Sequence, residues 1–255
     1  MDLFDQVILL LVSLTANLLS AVAGGGAGLL QLPALIFLGL SFSIALATHK
    51  IATVALGLGA TIKHAQGGHT ELRFALLMLA FGLPGVILGA HLILQVPENI
   101  AKVSLGVLTA GLGIYSFFKK ELGKVFNPKH QSLSGQISGG LGLFTLGVFN
   151  GSLTSGTGLF VTMWLILWFG FDYKRASAYT MILVGLFWNG TGALTLALQA
   201  PVQWSWLPML LLGSVVGGFF GAHIAVKYGN PLIKRVFECV TILVGFSLIL
   251  SVVLQ

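Results

Sequence analysis

The sequence has 255 residues, of which 56% are hydrophobic and only 8% are charged, and its mean hydropathy is +0.97. These values exclude an ordinary soluble globular domain, whose surface needs more charge, and they indicate an integral membrane protein. The formal net charge of +6 does not indicate nucleic-acid binding, because the lysines and arginines are scattered between apolar runs. Since apolar runs recur along the whole chain, we expect no cleaved signal peptide.

The first long apolar segment, residues 3–40, contains the glycine-rich stretch AVAGGGAGLLQLP, from Ala21 to Pro33. Each glycine costs a helix interior about 1 kcal/mol relative to alanine, so three in a row predict a break in the helix. Irregular backbone inside a bilayer is tolerated only against protein or a water-filled cavity. The helix predicted after the break, from Leu29, has about a dozen residues and reaches only ~18 Å, too short to span.

Three full transmembrane helices are predicted next, at residues 44–66, 72–95 and 100–118, each close to the ~20 residues that cross ~30 Å of hydrocarbon. The polar stretch 119–134 follows and carries four lysines. Because short cytoplasmic loops retain lysine and arginine, we place this linker in the cytoplasm.

The second part of the chain repeats this order. A broken segment, 135–170, is interrupted at Thr154 to Gly158, and three full helices are predicted at 176–198, 204–226 and 232–253. The offset is 130 residues from Gly26 to Gly156 and 132 residues from Gly89 to Gly221. We therefore assign residues 1–118 and 135–255 to two repeats.

The positive charges predict how the two repeats are oriented. If each broken segment is re-entrant and returns to its starting side, each repeat crosses the bilayer an odd number of times, which inverts the second copy. Both termini are then outside. The predicted fold is an all-α integral membrane protein with an inverted repeat, each half holding a re-entrant glycine-rich segment and three full helices. This is the plan of secondary transporters.

The breaks also predict a binding site. The N-terminus of a helix presents free N–H groups and the positive end of its dipole, and glycine lets a ligand approach the backbone. Two such ends related by inversion would hold one small anion near the midplane. The alternative is that the glycines only permit close helix packing. The predicted substrate-binding residues here are Gly24, Gly25, Gly26, Gly28 and Gln31 in the first half, and Thr154, Ser155, Gly156, Thr157 and Gly158 in the second.

Polar residues at depth add further candidates. Thr48, His49 and Lys50 lie about two turns into a predicted span, where a lysine facing lipid costs ~2.5 to 3.5 kcal/mol. We predict that Lys50 is the counter-charge for the anion and that His49 donates a hydrogen bond or carries a proton. The alternative is that both reach the interface. Asn189 either lines the cavity or pins two helices together, and Thr180 stands opposite His49 in the repeat.

The strings GGGAGLLQLPALIFLG and ALATHK, with GSLTSGTGLF and ASAYT in the second half, resemble the TauE/SafE sulfite exporter family of bacterial membrane proteins. The resemblance implies a transporter in the bacterial inner membrane that exports a small sulfur-containing anion such as sulfite, a sulfonate or an organosulfur carboxylate. The second half departs from the family pattern: SGTG replaces the triple glycine, and Met163 stands where Pro33 would pair. The two helix ends therefore need not bind the anion equally.

Two other classes of function remain open from the sequence. An anion channel could use the same cavity without alternating access. An intramembrane hydrolase would need a serine held against a base, and no GxSG string occurs, so we expect no enzymatic activity. The six histidines show no metal-ligand spacing, and we predict no cofactor or metal. A coupling proton or sodium ion and a homodimeric assembly are compatible with the transporter plan.

Overall fold

A computed structural model describes residues 3–64, 71–92, 98–118, 120–152 and 156–253. These residues form helices joined by short turns, with no β-strand among them. The helices are α1 (Leu3–Ala23), α2 (Gly28–Phe37), α3 (Phe42–His64), α4 (Leu72–Leu92), α5 (Glu98–Phe118), α6 (Leu133–Ser152), α7 (Thr157–Leu167), α8 (Tyr173–Tyr179), a π-helix (Thr180–Trp188), α9 (Asn189–Ala197) and α10 (Leu207–Val253).

Five helical stretches of the described residues are long and apolar enough to cross a membrane. They are Phe4–Ala23, Phe42–His64, Leu72–Leu92, Tyr173–Ala197 and Trp204–Ser247. The last has 44 residues, about twice the length that one crossing needs. By length and composition, these stretches indicate an integral membrane protein.

The first apolar segment leaves the helix at its glycines. α1 ends at Ala23 and α2 begins at Gly28, and Gly24, Gly25 and Gly26 between them have φ angles of 84°, 140° and 103°. Side chains with a Cβ rarely adopt these angles, so the glycines are what allow the chain to turn here. α2 has 10 residues, about 15 Å of helix.

A second interruption separates α6 from α7. α6 ends at Ser152, and α7 begins at Thr157 after Gly156, whose φ is 77°. Thr154 and Ser155, which the sequence places in this break, lie outside the described residues. α7 has 11 residues, so it is as short as α2. α2 begins one residue before Leu29, the start predicted from the sequence.

The later part of the chain contains two long helical stretches. α8, the π-helix and α9 follow one another without a break from Tyr173 to Ala197; the predicted span was 176–198. α10 runs from Leu207 to Val253, but its backbone is not helical at Gly229, where φ is 68° and ψ is −163°. The predicted spans 204–226 and 232–253 fall on either side of this kink.

Glycines permit close packing between helices from different halves of the chain. A Cβ on Gly217 of α10 would lie 2.5 Å from the carbonyl oxygen of Leu14 in α1. A Cβ on Gly147 of α6 would collide with the carbonyl oxygen of Gly82 in α4. α1 therefore packs on α10 and α6 packs on α4, through the small residues that bring helix backbones together in membranes.

The two interruptions themselves are in contact. A Cβ on Gly25 would lie 2.5 Å from the carbonyl carbon of Gly158, so the backbones touch at this point. Beside them, Gly57 of α3 packs against Gly185 of the π-helix. The starts of α2 and α7 thus meet at the centre of the protein, between α3 and the π-helix.

Candidate functional site

A small cavity of about 30 Å³ lies beside the two helix interruptions. We call it the central cavity. This volume has room for roughly two water molecules. Its walls come from α1, α2, α3, α6, α7, the π-helix and α9. The polar side chains that line it belong to Ser20, His49, Thr53, Asn150, Thr157, Thr180 and Asn189.

Both short helices begin at this cavity. Gly26, Ala27 and Gly28 border it at the start of α2, and Thr157 and Gly158 border it at the start of α7. The N–H groups of Leu29 and Leu159 already donate to the carbonyls of Gly26 and Gly156, but the dipoles of both helices place partial positive charge here. The cavity therefore favours a negatively charged ligand.

Ser20, near the end of α1, adds a hydroxyl group to the cavity wall. Its side chain is 2% exposed, and its Oγ has no hydrogen-bond partner among the residues that the structure describes. A buried hydroxyl without a partner costs about 1 to 3 kcal/mol. This group is therefore available to bind a ligand or a water molecule inside the cavity.

The Lys50 ammonium is fully buried behind the cavity. Its Nζ donates to the Asn150 carbonyl oxygen at 2.7 Å, to Asn150 Oδ1 at 2.9 Å and to Asn189 Oδ1 at 3.1 Å. Among the described charged residues, no carboxylate forms a salt bridge with it. The three oxygens satisfy its donors but carry no formal charge, so the protonated lysine would place an unneutralised positive charge beside the cavity.

Asn150 connects the lysine to the start of α7. Its Nδ2 donates to Thr157 Oγ1 at 3.0 Å and to Asn189 Oδ1 at 3.3 Å. Because Asn150 and Asn189 both line the cavity while Lys50 lies behind them, the two amides separate the ammonium from the cavity. An anion would interact with Lys50 through this layer of amide groups.

A second polar network fixes His49. Its Nδ1 lies 2.9 Å from Gln31 Oε1, and Gln31 Nε2 donates to Ser13 Oγ at 3.0 Å. An amide oxygen only accepts, so Nδ1 carries the proton, and Nε2 is the acceptor in the neutral ring. His49 lines the cavity and Gln31 lies behind it.

The other residues predicted from the sequence lie around this site in different roles. The Gly24 carbonyl accepts from Thr162 Oγ1 at 2.6 Å, and Gly156 packs against Leu29. Thr48 Oγ1 accepts from the backbone N–H of Gln203 at 3.0 Å and is not part of the cavity wall. Thr154 and Ser155 lie outside the described residues.

Three polar residues of the cavity wall, Ser20, Thr53 and Asn150, were not predicted from the sequence. Ser20 and Asn150 are separated by 130 residues, the same offset that relates Gly26 to Gly156. Comparing the two halves position by position would therefore have identified this pair. Thr53 carries no such signal, because the residue that matches it in the second half is apolar.

The described residues contain no group of three or more His, Cys, Asp or Glu side chains that could hold a metal ion. The candidate site is therefore built from backbone amides, hydroxyl groups, two asparagines, a histidine and a lysine. Groups of these kinds can hold an anion by hydrogen bonding and charge.

The family model for the sulfite exporter TauE/SafE matches residues 9–248. The chain is 29% identical over 227 residues to a probable membrane transporter protein of Haemophilus influenzae, covering 89% of this chain and 88% of that protein. It is 26% identical to the probable membrane transporter protein YfcA of Escherichia coli, covering 95% and 88% of the two chains. It is 24% identical to the probable membrane transporter protein YunE of Bacillus subtilis, covering 95% and 97%.

No solved structure gives a significant match to this chain. The family match extends over both helix interruptions and over Lys50, Asn150 and Asn189. The relatives align over most of their own length, and each is named as a membrane transporter. The chain is a membrane transporter that belongs to the TauE/SafE sulfite exporter family.

Proposed function

We propose that the protein is a secondary transporter that exports a small sulfur-containing anion such as sulfite, a sulfonate or an organosulfur carboxylate. The anion binds in the central cavity, between the starts of α2 and α7. The observation that carries this proposal is the buried Lys50 ammonium, which is held by the amide oxygens of Asn150 and Asn189 beside that cavity. A buried positive charge without a carboxylate partner favours an anionic ligand.

Contacts between the two halves support an inverted-repeat plan. α1 packs on α10 and its counterpart α6 packs on α4, so the helices exchange partners in the same way in both halves. At the centre, Gly25 meets Gly158 and Gly57 meets Gly185. Gly25 and Gly158 are 133 residues apart and Gly57 and Gly185 are 128 apart, close to the repeat offset of 130 to 132, so nearly equivalent positions of the two repeats meet, as expected near a two-fold axis in the membrane plane.

The size of the central cavity supports transport by alternating access. About 30 Å³ is too small for an anion with three or more oxygen atoms, so the site must widen to load and unload. We propose that one repeat rocks against the other around the contact between Gly25 and Gly158. The positive-inside rule places the linker in the cytoplasm and both termini outside, in a bacterial inner membrane.

His49 is the residue we propose for coupling to protons. It lines the cavity, and its ring would gain a positive charge on binding a proton, which would strengthen binding of an anion beside it. Gln31 holds the Nδ1 side of the ring. A proton would therefore add at Nε2.

Transport is tested with purified protein in sealed vesicles. Sulfite trapped inside should leave vesicles that contain the protein faster than protein-free vesicles, and the rate should saturate as the sulfite concentration rises. A parallel thermal-shift screen with sulfite, thiosulfate, methanesulfonate and acetate should show stabilisation that grows with the concentration of the ligand that binds. Absence of both flux and stabilisation for every sulfur anion would refute the proposal.

A further inference from the structure

A second and larger cavity, of about 290 Å³, opens where the start of α4 meets the linker and the turn before α8. Three cationic side chains border it, Arg73, Lys129 and Arg175, together with one carboxylate, Glu71. We call it the cationic vestibule. Its size lies just below the range of about 300 to 1,000 Å³ for small-ligand pockets, and it is about ten times the volume of the central cavity.

The Arg175 guanidinium is held in place but remains available to a ligand. Its Cζ lies 4.0 Å from the centre of the Phe126 ring. Its backbone N–H donates to Asp172 Oδ1 at 2.8 Å, which fixes the first turn of α8. Neither Arg175 nor Arg73 forms a salt bridge with a carboxylate of any described residue. A guanidinium that lies over a ring face still directs its N–H groups outward in the guanidinium plane, where they bind sulfonate or carboxylate oxygens.

Aromatic rings close the inner end of the vestibule. The Phe74 ring lies 4.9 Å from the Phe171 ring and 5.1 Å from the Tyr179 ring, and Phe171 and Tyr179 are 5.3 Å apart. At these centroid separations the rings are in contact. The Tyr179 hydroxyl accepts a hydrogen bond from the backbone N–H of Glu71, which ties this aromatic layer to the start of α4.

The vestibule and the central cavity are bordered by neighbouring residues of the chain. Tyr179 borders the vestibule, and Thr180, the next residue, borders the central cavity. Lys129 lies in the linker that the positive-inside rule assigns to the cytoplasm, and Arg73 and Arg175 border the same cavity. The two cavities are therefore neighbours, and the vestibule borders the linker.

We propose that the cationic vestibule is a second anion site, which binds an organic monoanion by its sulfonate or carboxylate group before the anion enters the central cavity. The oxygens bind Arg73 and Arg175, and the organic part packs on Phe74, Phe126 and Phe171. The vestibule concentrates anions at the entrance, and the aromatic layer must move to admit them. This inference rests on the proposed transport function for its role, but binding in the vestibule can be measured without transport.

Isothermal titration calorimetry on the full chain in neutral phosphatidylcholine nanodiscs tests the proposal, with benzenesulfonate as the probe. This probe combines one sulfonate with one ring. We expect saturable binding to the wild type and a loss of affinity of about tenfold or more in Arg73→Gln/Arg175→Gln, because charged hydrogen bonds are lost. Lys174→Gln is the control: it removes a positive charge next to Arg175 but outside the vestibule wall, and it should bind benzenesulfonate like the wild type. The neutral analogue benzenesulfonamide should bind at least tenfold more weakly.

Three results would overturn the proposal: no binding to the wild type, unchanged binding to Arg73→Gln/Arg175→Gln, or equal binding of benzenesulfonamide. An anionic lipid headgroup offers similar chemistry, so the titration is repeated in nanodiscs that contain phosphatidylglycerol. A strong loss of benzenesulfonate affinity for the wild type in these nanodiscs, compared with the wild type in neutral nanodiscs, would assign the vestibule to lipid and overturn the assignment to a soluble anion.

A variant of the central cavity separates this inference from the proposed function. Asn189→Asp should lose sulfite flux and keep its binding of benzenesulfonate, because Asn189 does not border the vestibule. Benzenesulfonate binding by a wild type that shows neither flux nor stabilisation with any of the screened sulfur anions would contradict the proposed function alone. Sulfite flux in a wild type that does not bind benzenesulfonate would contradict the vestibule alone.

Discussion

Lys50 Nζ and Asn150 Oδ1 lie 2.9 Å apart and join α3 to α6, across 100 positions of the chain. The contact places a positive charge where the start of α7 and the central cavity meet. It also ties the first half of the chain to the second, because both oxygens of Asn150 accept from the lysine. A single residue therefore contributes to folding and to the proposed anion site.

Replacing Lys50 with methionine should reduce sulfite flux by at least about tenfold. The change removes the charge at similar length and removes the three hydrogen bonds that Nζ donates to Asn150 and Asn189, which costs about 1 to 3 kcal/mol of stability. Initial flux rates in vesicles, normalised to the amount of folded protein, measure the first effect. Lys63→Met, at the end of α3, is the matched control and should transport normally. Normal flux in Lys50→Met would exclude the lysine as counter-charge.

Asn189→Asp should weaken anion binding while preserving the shape of the site. The two side chains have nearly the same size, and the new carboxylate would pair with Lys50 at the present 3.1 Å separation. The pair would cancel the positive charge and repel an anion in the cavity. In a thermal-shift titration, the sulfite concentration that gives half of the full stabilisation should be at least about tenfold higher than for the wild type. Gln199→Glu adds the same charge at an exposed turn and should leave this sulfite concentration unchanged.

Gly25→Ala should prevent the normal contact between the two helix interruptions. Its Cβ would lie 2.5 Å from the Gly158 carbonyl carbon, and its φ is 140°, so steric overlap and backbone strain add together. We expect a loss of stability of several kcal/mol, of the order seen for overpacked cores, measured as a lower midpoint of thermal unfolding and poor yield of folded protein.

Gly111→Ala is the control for this substitution. Gly111 lies in α5, and a Cβ there would meet no heavy atom within 4 Å. Alanine at this position should be neutral or stabilise the helix by up to about 1 kcal/mol. Equal destabilisation by the two substitutions would show that the contact between Gly25 and Gly158 is not specially tight.

The residues that break a helix could be recognised in the sequence because their effect is local. Three consecutive glycines, Gly24 to Gly26, disfavour a helix whatever surrounds them, and the short α2 follows directly. A buried lysine is also visible locally, because Lys50 lies too far into an apolar run to reach water without cost. Its role as counter-charge to a bound anion stays a prediction.

The partners of these residues could not be predicted in the same way, because they are long-range. Asn150 stands at the end of an apolar run, where an amide at a membrane surface would give the same local pattern. Only the packing of α6 beside α3 and α7 brings it to Lys50 and Thr157. Thr48 gives the opposite case: it is next to His49 in sequence, but one residue turns a helix by about 100°, and its hydroxyl contacts Gln203 instead.

The buried ion pair between Lys234 and Glu238 provides a test of stability away from both cavities. Lys234 Nζ lies 2.7 Å from Glu238 Oε1, and the two side chains are 9% and 13% exposed. Lys234 Nζ also donates to the Ser116 carbonyl oxygen at 2.6 Å. Removing one partner leaves the other charge buried, so Lys234→Met should destabilise the protein by about 3 kcal/mol.

A double-mutant cycle with Lys234→Met, Glu238→Leu and the pair of substitutions together separates the interaction from the desolvation of each charge. We expect the double variant to recover much of the stability lost by Lys234→Met, because no unpaired charge remains. Thermal unfolding midpoints in one detergent measure all four proteins. Sulfite flux should change little in the double variant, since neither residue borders the central cavity or the vestibule. Strictly additive losses would show that the two side chains do not stabilise α5 against α10 as a pair.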